Sequence, residues 1–315
     1  MSTLLSRHQE PDNTGLVQSI TPERAQWKHV GFDVYHLQTG QSLQQDTGNQ
    51  EVCLVLVTGR ADIKTNQEDW KDLGDRMSVF EDKAPHAVYV PHSDTFTVTA
   101  TTNLELAVCR APGFGDHAAR LIPPESMGRE TRGQGTNTRH VCNILPQTEP
   151  ADSLLVVEVI TPNGSWSSYP PHKHDTDNMP SESQLEEIYY HRLQPSQGFA
   201  FQRVYTDDRS LDETMVVHDG DVVMVPRGYH PAGASAPQAG SADVDYGKYL
   251  VRKPVYEVIA GTPVKNRQEP ASMTFMNRNL VPECDIYVEG GWVWGMPDPN
   301  PHIFDHVHRG FEELV

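Results

Sequence analysis

The sequence is poor in cysteine and in long apolar runs, and each shortage excludes a class of protein. None of its four cysteines, Cys53, Cys109, Cys142 and Cys284, forms a C-x-x-C pair, so we expect reduced thiols rather than a disulfide framework. No apolar run approaches the roughly 20 residues that span a bilayer, and the N-terminus turns polar without an apolar signal region. These absences predict a cytoplasmic protein without a membrane anchor.

Positive charge is also scarce, with 25 Lys and Arg against 43 Asp and Glu and a net charge of -18. So acidic a chain repels phosphate backbones and anionic lipid, which argues against nucleic acid and membranes as partners. Neither G-x-G-x-x-G nor a P-loop occurs, so no NAD, flavin or nucleotide is expected. A small-molecule partner remains, and the oligomeric state stays open, with a homo-oligomer compatible.

Helical periodicity is hard to find, whereas short β-branched runs such as "EVCLVLVTG" and "TFTVTATT" are frequent. Gly, Asn, Asp or Pro separates these runs about every 8–15 residues, which is typical of small antiparallel sandwiches or barrels. The pattern restarts near residue 137, so we predict an all-β chain of two tandem units. The predicted divisions are 1–115 for a first unit, 116–136 for a linker, 137–261 for a second unit and 262–315 for a tail.

Four residues of the second unit form a candidate metal site. His172 and His174 are two apart, so on a strand both imidazoles face the same way. Glu187 follows in the strand-like run "LEEIYYHRL", and His230 ends the turn-rich segment "HDGDVVMVPRGYHP". Three histidines and one glutamate suit Zn²⁺ or Mn²⁺, and also Fe²⁺.

The order of these elements is itself informative. H-x-H, then a strand glutamate, then G-x5-P-x-G-x-H is the two-part motif of the cupin fold. The first unit lacks the H-x-H element, so we expect it to have a structural role without metal.

The resemblance extends to a family. "NTRHVCNILP", "WSSYPPHKHD", "LEEIYYHR" and "DGDVVMVPRGYHP" closely resemble the 5-deoxy-glucuronate isomerases of myo-inositol catabolism, over about residues 4–231. That family consists of bicupin ketol-isomerases, so the resemblance implies two tandem jelly-roll barrels. It also implies His172, His174, Glu187 and His230 as metal ligands. Glu187 is preferred to Glu186 because the family motif continues with an aliphatic residue and then Tyr.

The family's reaction is the aldose–ketose isomerisation of 5-deoxy-D-glucuronate to 2-deoxy-5-keto-D-gluconate. It passes through an enediolate, whose charge a divalent metal stabilises as a Lewis acid. A nearby group must also transfer the proton. Glu186, Tyr189 and His191 are all candidates, and the sequence does not choose among them.

The substrate also carries a carboxylate, which arginine binds better than lysine does. The candidates are Arg203 in "FQRVY", Arg227 in "PRGYH" and Lys173. Strand alternation places Arg203 on the face of Phe201 and Tyr205, which we expect to line the cavity.

Two other functions fit the same ligand set. An Fe²⁺ site of this composition also suits a cupin dioxygenase. A third reading is a non-catalytic cupin that binds a sugar acid as a sensor. The family motifs favour the isomerase over both.

The chain departs from the family after His230. From about residue 246 it resembles the opening of a different cupin family, and it ends soon after a second H-x-H, His306 and His308, followed by Glu313. A fusion, a truncated sequence, a gene-model error and a barrel completed by another chain are the alternatives. We expect an incomplete third cupin without a working metal site, and "KPVYEVIAG" as a substitute for the family's last strand.

Overall fold

The computed structural model describes residues 2–178, 182–194, 196–234, 255–263 and 306–307. Across these residues the chain is built of antiparallel strands, with one short helix α1 (Pro22–Ala25) and two 3-10 turns, Pro124–Ser126 and Gly135–Asn137. In this part of the chain no helix has the length and apolar character that crossing a membrane requires.

The first half of the chain contributes eleven of the described strands. They are β1 (Leu5–Ser6), β2 (Leu16–Ile20), β3 (Gly31–Leu37), β4 (Ser42–Asp46), β5 (Gln50–Thr58), β6 (Ala61–Lys64), β7 (Asp69–Leu73), β8 (His86–Val90), β9 (Thr95–Ala100), β10 (Leu104–Pro112) and β11 (Arg120–Ile122). One sheet has the order β11-β8-β5-β10-β3-β2, and a second has the order β4-β9-β6-β7.

The central strand β5 shows why this sequence forms a strand buried on both faces. Its side chains alternate between two apolar clusters, because successive residues of a strand point to opposite faces. Val52 and Leu54 join the cluster between the two sheets of the first unit. Cys53 and Val55 join a cluster on the outer side of the large sheet. Aliphatic side chains of β5 therefore fill the space between the two sheets of the first unit.

The second half contributes the remaining described strands. They are β12 (Gly128–Arg132), β13 (Arg139–Leu145), β14 (Leu155–Thr161), β15 (Trp166–Ser167), β16 (His172–Lys173), β17 (Leu185–Leu193), β18 (Ala200–Tyr205), β19 (Asp212–Val217), β20 (Val222–Val225), β21 (Ala232–Ala234), β22 (Val255–Pro263) and β23 (His306–Val307). The large sheet has the order β1-β20-β17-β22-β14-β13-β12, and the small sheet has the order β15-β21-β18-β19.

Strand β22 completes the large sheet of the second unit. It pairs with β14 on one side and with β17 on the other, for example Gly261 opposite both Leu155 and Glu187. The prediction that "KPVYEVIAG" supplies the substitute strand is confirmed for Val255–Gly261, and the two residues before them lie outside the described part of the chain. Without this strand, β14 and β17 would each present an unpaired edge inside the sheet.

One apolar cluster joins the two units. Apolar side chains of both large sheets, from Val17 to Met224, form a single buried cluster between them. A buried ion pair crosses the same interface, where the Arg76 guanidinium donates to Glu158 at 3.0 and 2.7 Å. The units are therefore packed face to face through their large sheets.

The segment 116–136, predicted as a loop-like linker, contains two strands. β11 pairs with β8 in the first unit, and β12 pairs with β13 in the second. The N-terminal β1 pairs with β20 of the second unit. These strands are short and β12, "GRETR", has no apolar alternation, so periodicity does not reveal them. The domain boundaries themselves stay a prediction.

Two further expectations concern the thiols and the tail. Cys53, Cys109 and Cys142 are free and buried, although Cys53 and Cys109 lie opposite each other in the sheet; Cys284 lies outside the described residues. Most of the predicted tail 262–315, including His308 and Glu313, also lies outside them. Of that tail, the backbone of β23 pairs with β16, with Val307 opposite His172.

Candidate metal centre

The H-x-H pair lies on the short strand β16 and directly after it. His172 and His174 are each only 2% exposed, whereas Lys173 between them is partly exposed. This is the alternation expected of extended backbone. The His174 Nδ1 atom lies 3.2 Å from the Leu185 carbonyl oxygen, to which an Nδ1–H donates. That contact turns its Nε2 atom towards β17.

Glu187 on β17 contacts two of the predicted histidine ligands. Its Oε2 atom lies 2.8 Å from His174 Nε2 and 3.2 Å from His230 Nε2. Burial raises the pKa of the Glu187 carboxyl, but the neighbouring His230 and His174 outweigh it, and the pKa lies below its usual value. The carboxylate is therefore the anionic member of the cluster.

Glu186, one residue earlier, has the opposite orientation. Its carboxylate accepts backbone N–H bonds from Lys28 and His29 at 2.8 Å and from Val30 at 3.2 Å, all in the first unit. A one-residue step along a strand exchanges the two faces of the sheet. Glu186 thus joins the interface between the units, and its predicted role in proton transfer is not supported by this placement.

His230 directly follows a tight turn. Gly228 has φ +92°, and a Cβ there would lie 2.5 Å from the Tyr205 carbonyl oxygen, so only glycine fits. The turn lets the His230 Nδ1 atom donate to the Gly228 carbonyl at 2.8 Å. The ring is fully buried, and burial lowers its pKa below the usual value.

The four side chains converge. One ligand atom of each of His172, His174 and His230 lies within 4.8 Å of the others. Among the described residues, the buried His230 Nε2 atom has no hydrogen-bond partner. Imidazoles that donate through Nδ1 present lone pairs at Nε2, and here two of them face one carboxylate oxygen. A cation at the centre would satisfy all of these atoms, so the donor set fits a divalent metal.

The buried cluster continues along β17 with Tyr189 and His191, which lie on the same face as Glu187. The Tyr189 hydroxyl lies 2.7 Å from Ser168 Oγ, and the Tyr189 ring lies 5.8 Å from that of His230. His191 stacks on Tyr189 and contacts Gln202 Oε1 through Nε2 at 3.0 Å. Burial lowers the pKa of His191 to about 4, so its ring is neutral at pH 7.

The residues predicted to bind the substrate's carboxylate group do not join this cluster. Arg203 is exposed and pairs with Asp212 through two 2.8 Å bonds. It does share a face with Phe201, but that face is the outer one. The inward residue is Gln202, which sequence reasoning missed. Lys173 pairs with Asp207 at 2.7 Å, and the exposed Arg227 lies 3.4 Å from Ser210 Oγ.

Asp175 is a second residue that the sequence analysis missed. Its carboxylate accepts the backbone N–H of Gly228 at 2.5 Å. It thereby connects the segment carrying His174 to the turn carrying His230. A signal was available, because Asp175 directly follows the H-x-H pair in "HKHDTD", but no spacing rule identified its partner.

Comparison with known sequences gives one consistent family. The family described as KduI/IolB matches residues 4–239. The 5-deoxy-glucuronate isomerase of Geobacillus kaustophilus is 58% identical over 234 residues, covering 74% of this chain and 85% of that protein. The protein of the same name from Bacillus subtilis (strain 168) is 47% identical over 237 residues, covering 74% of this chain and 88% of that protein.

Solved structures support the fold. A crystal structure of an IolB-like protein from Salmonella typhimurium has a TM-score of 0.76 at 47% identity, covering 84% of this chain and 94% of that chain. Oxalate decarboxylase of Bacillus subtilis has a TM-score of 0.53 at 10% identity, covering 92% of this chain and 83% of that chain. At such low identity the second likeness concerns the fold alone. The predicted all-β cupin architecture is confirmed.

Proposed function

This chain belongs to the KduI/IolB family, and from that premise we propose that it isomerises 5-deoxy-D-glucuronate to 2-deoxy-5-keto-D-gluconate in myo-inositol catabolism. The observation that carries the proposal is its 58% identity to an isomerase of that name, over 85% of the isomerase's length. The convergence of three histidines and a glutamate inside the second unit supports it. Free, buried cysteines suit a reducing compartment, so we propose the cytoplasm as its location.

The proposed metal ligands are His172, His174, Glu187 and His230. A divalent ion there, Zn²⁺ or Mn²⁺ before Fe²⁺, would act as a Lewis acid towards the substrate's carbonyl and hydroxyl oxygens. The residues themselves keep this centre dry and fixed, because all three rings are almost fully buried. In such a setting, negative charge that develops on the enediolate interacts more strongly with cations and hydrogen-bond donors than it would in water.

Tyr189 is our proposed proton-transfer group. It lies on the same strand face as Glu187, and its hydroxyl is held beside the cluster by Ser168. We assign it the oxygen side of the reaction, where its O–H donates to the carbonyl oxygen as negative charge develops there. His191 lies behind the Tyr189 ring and is fully buried, so it supports the ring instead of contacting substrate.

The test is direct. Metal-replete protein incubated with 5-deoxy-D-glucuronate should produce the ketone signals of 2-deoxy-5-keto-D-gluconate in an NMR assay. Oxygen uptake, measured in the same sample, should stay at background because the reaction is redox-neutral within the substrate. Absence of product would refute the isomerase proposal. Oxygen consumption in step with substrate loss would also refute it, and would favour a dioxygenase.

Asp175→Ala should weaken metal binding by about 10- to 100-fold, the range found when groups that orient metal ligands are removed. The reason is that its carboxylate joins the turn of His230 to the segment of His174. Competition with a fluorescent chelator measures the affinity. Asp208→Ala is the matched control, because among the described residues the Asp208 carboxylate bonds within its own turn, to Thr206 and Ser210. Equal affinities in the two variants would contradict the role of Asp175.

A further inference from the structure

Ser168 has a backbone conformation that its side chain disfavours. It lies between β15 and the H-x-H strand β16, is 8% exposed, and has φ +50°. Left-handed backbone of this kind crowds any Cβ, so glycine is the usual residue. The place of Ser168 beside the candidate metal centre makes the partner of its hydroxyl relevant to the site.

Contacts on both sides hold the conformation. Before Ser168, β15 pairs with β21, with Ser167 opposite Ala232. After it, the buried Arg139 donates to the Tyr169 carbonyl oxygen at 3.4 Å. The backbone is therefore fixed by its neighbours, and the direction of the Ser168 Cα–Cβ bond is fixed with it.

That direction is towards Tyr189. The Ser168 Oγ and Tyr189 hydroxyl oxygens are 2.7 Å apart, and the contact is buried. A phenol hydroxyl has a single proton, and the role proposed for Tyr189 commits that proton to the substrate's carbonyl oxygen. It follows that Ser168 donates to the Tyr189 oxygen.

We propose that Ser168 is a positioning residue that orients the Tyr189 hydroxyl, so that the Tyr189 proton points into the four-ligand centre. This inference rests on the isomerase function and on the role given to Tyr189 above. With Ser168 as donor, one lone pair of the Tyr189 oxygen is engaged. The hydroxyl is then ordered before substrate arrives, and no free-energy cost for ordering it falls on the chemical step.

Ser168→Gly should lower kcat about tenfold with KM changed less than about twofold, because an orienting contact is lost while substrate binding is not. Glycine tolerates φ +50°, so the fold should persist with a Tm no lower than that of the wild type. Bound metal per chain should not change. Ser93→Gly is the matched control, since Ser93 also has positive φ, +59°, but lies in the first unit, where it should leave kcat unchanged.

A double-mutant cycle separates positioning from a general structural role. Tyr189→Phe removes the hydroxyl that Ser168 orients, so adding Ser168→Gly to it should lower kcat by less than about twofold more. The same tenfold loss in both backgrounds, or no loss in Ser168→Gly alone, would overturn the proposal. If the wild type is active and Ser168→Gly is equally active, the role of Ser168 is wrong but the isomerase function stands. If the wild type itself shows no turnover, the isomerase function is wrong.

Discussion

Substituting alanine for His230 should leave the purified protein without stoichiometric metal and lower isomerase turnover by at least about a thousandfold, since a bound metal contributes several kcal/mol to charge stabilisation. The His230 ring is fully buried, and its Nε2 atom lies 3.2 Å from Glu187 Oε2. Its removal leaves two histidines and a carboxylate around a cavity that water can enter. Elemental analysis of the purified variant measures the metal, and the NMR assay measures turnover.

His218→Ala is the control for that substitution. His218 follows β19 directly and is exposed, so the same chemical change there removes no buried contact. It should retain metal and turn over at the wild-type rate. Full metal content in His230→Ala, or equal losses in the two variants, would contradict the four-ligand assignment.

Much of this candidate site could be predicted because its residues follow strand periodicity. The i, i+2 spacing of His172 and His174 correctly indicates a shared direction. The same rule separates Glu187 from Glu186, whose carboxylates lie on opposite faces of the sheet in the structure.

Periodicity also explains the main error. It correctly places Arg203 and Phe201 on one face of β18, but it does not say which face is inward. Phe201 suggested the interior, yet it is 46% exposed while Gln202 is fully buried. Which face of β18 points inward is set by the sheet that β18 joins, and that sheet includes β21, a three-residue strand of small side chains. A local pattern does not contain that information.

The fold shows the same limit. Long apolar strands such as β5 are evident from composition, because they must be buried on both faces. By contrast β1 and β12 are short and partly polar, and each adds to an edge of the second unit's large sheet. Their positions depend on the partner strand and not on their own sequence. Contacts between the units, such as Glu186 with residues 28–30, are likewise set by tertiary packing.

Arg76→Met should destabilise the protein by about 3–5 kcal/mol, the cost of leaving one member of a buried ion pair without its partner. Arg76 and Glu158 are 2% and 3% exposed, and the guanidinium also donates to the carbonyl oxygens of Val57 and Lys83 at 2.9 Å. Methionine matches the apolar stem but supplies none of these donors. Urea unfolding followed by tryptophan fluorescence measures the change.

Arg60→Met is the matched control, because its ion pair with Asp72 at 2.9 Å is exposed, 42% and 57% for the two side chains. Such pairs are worth less than about 1 kcal/mol. The double variant Arg76→Met/Glu158→Leu tests the cause, since removing both charges also removes the uncompensated one. It should recover most of the loss. If it is no more stable than Arg76→Met, the loss comes from the backbone carbonyls that Arg76 satisfies, and the interface is held by those bonds instead of by the ion pair.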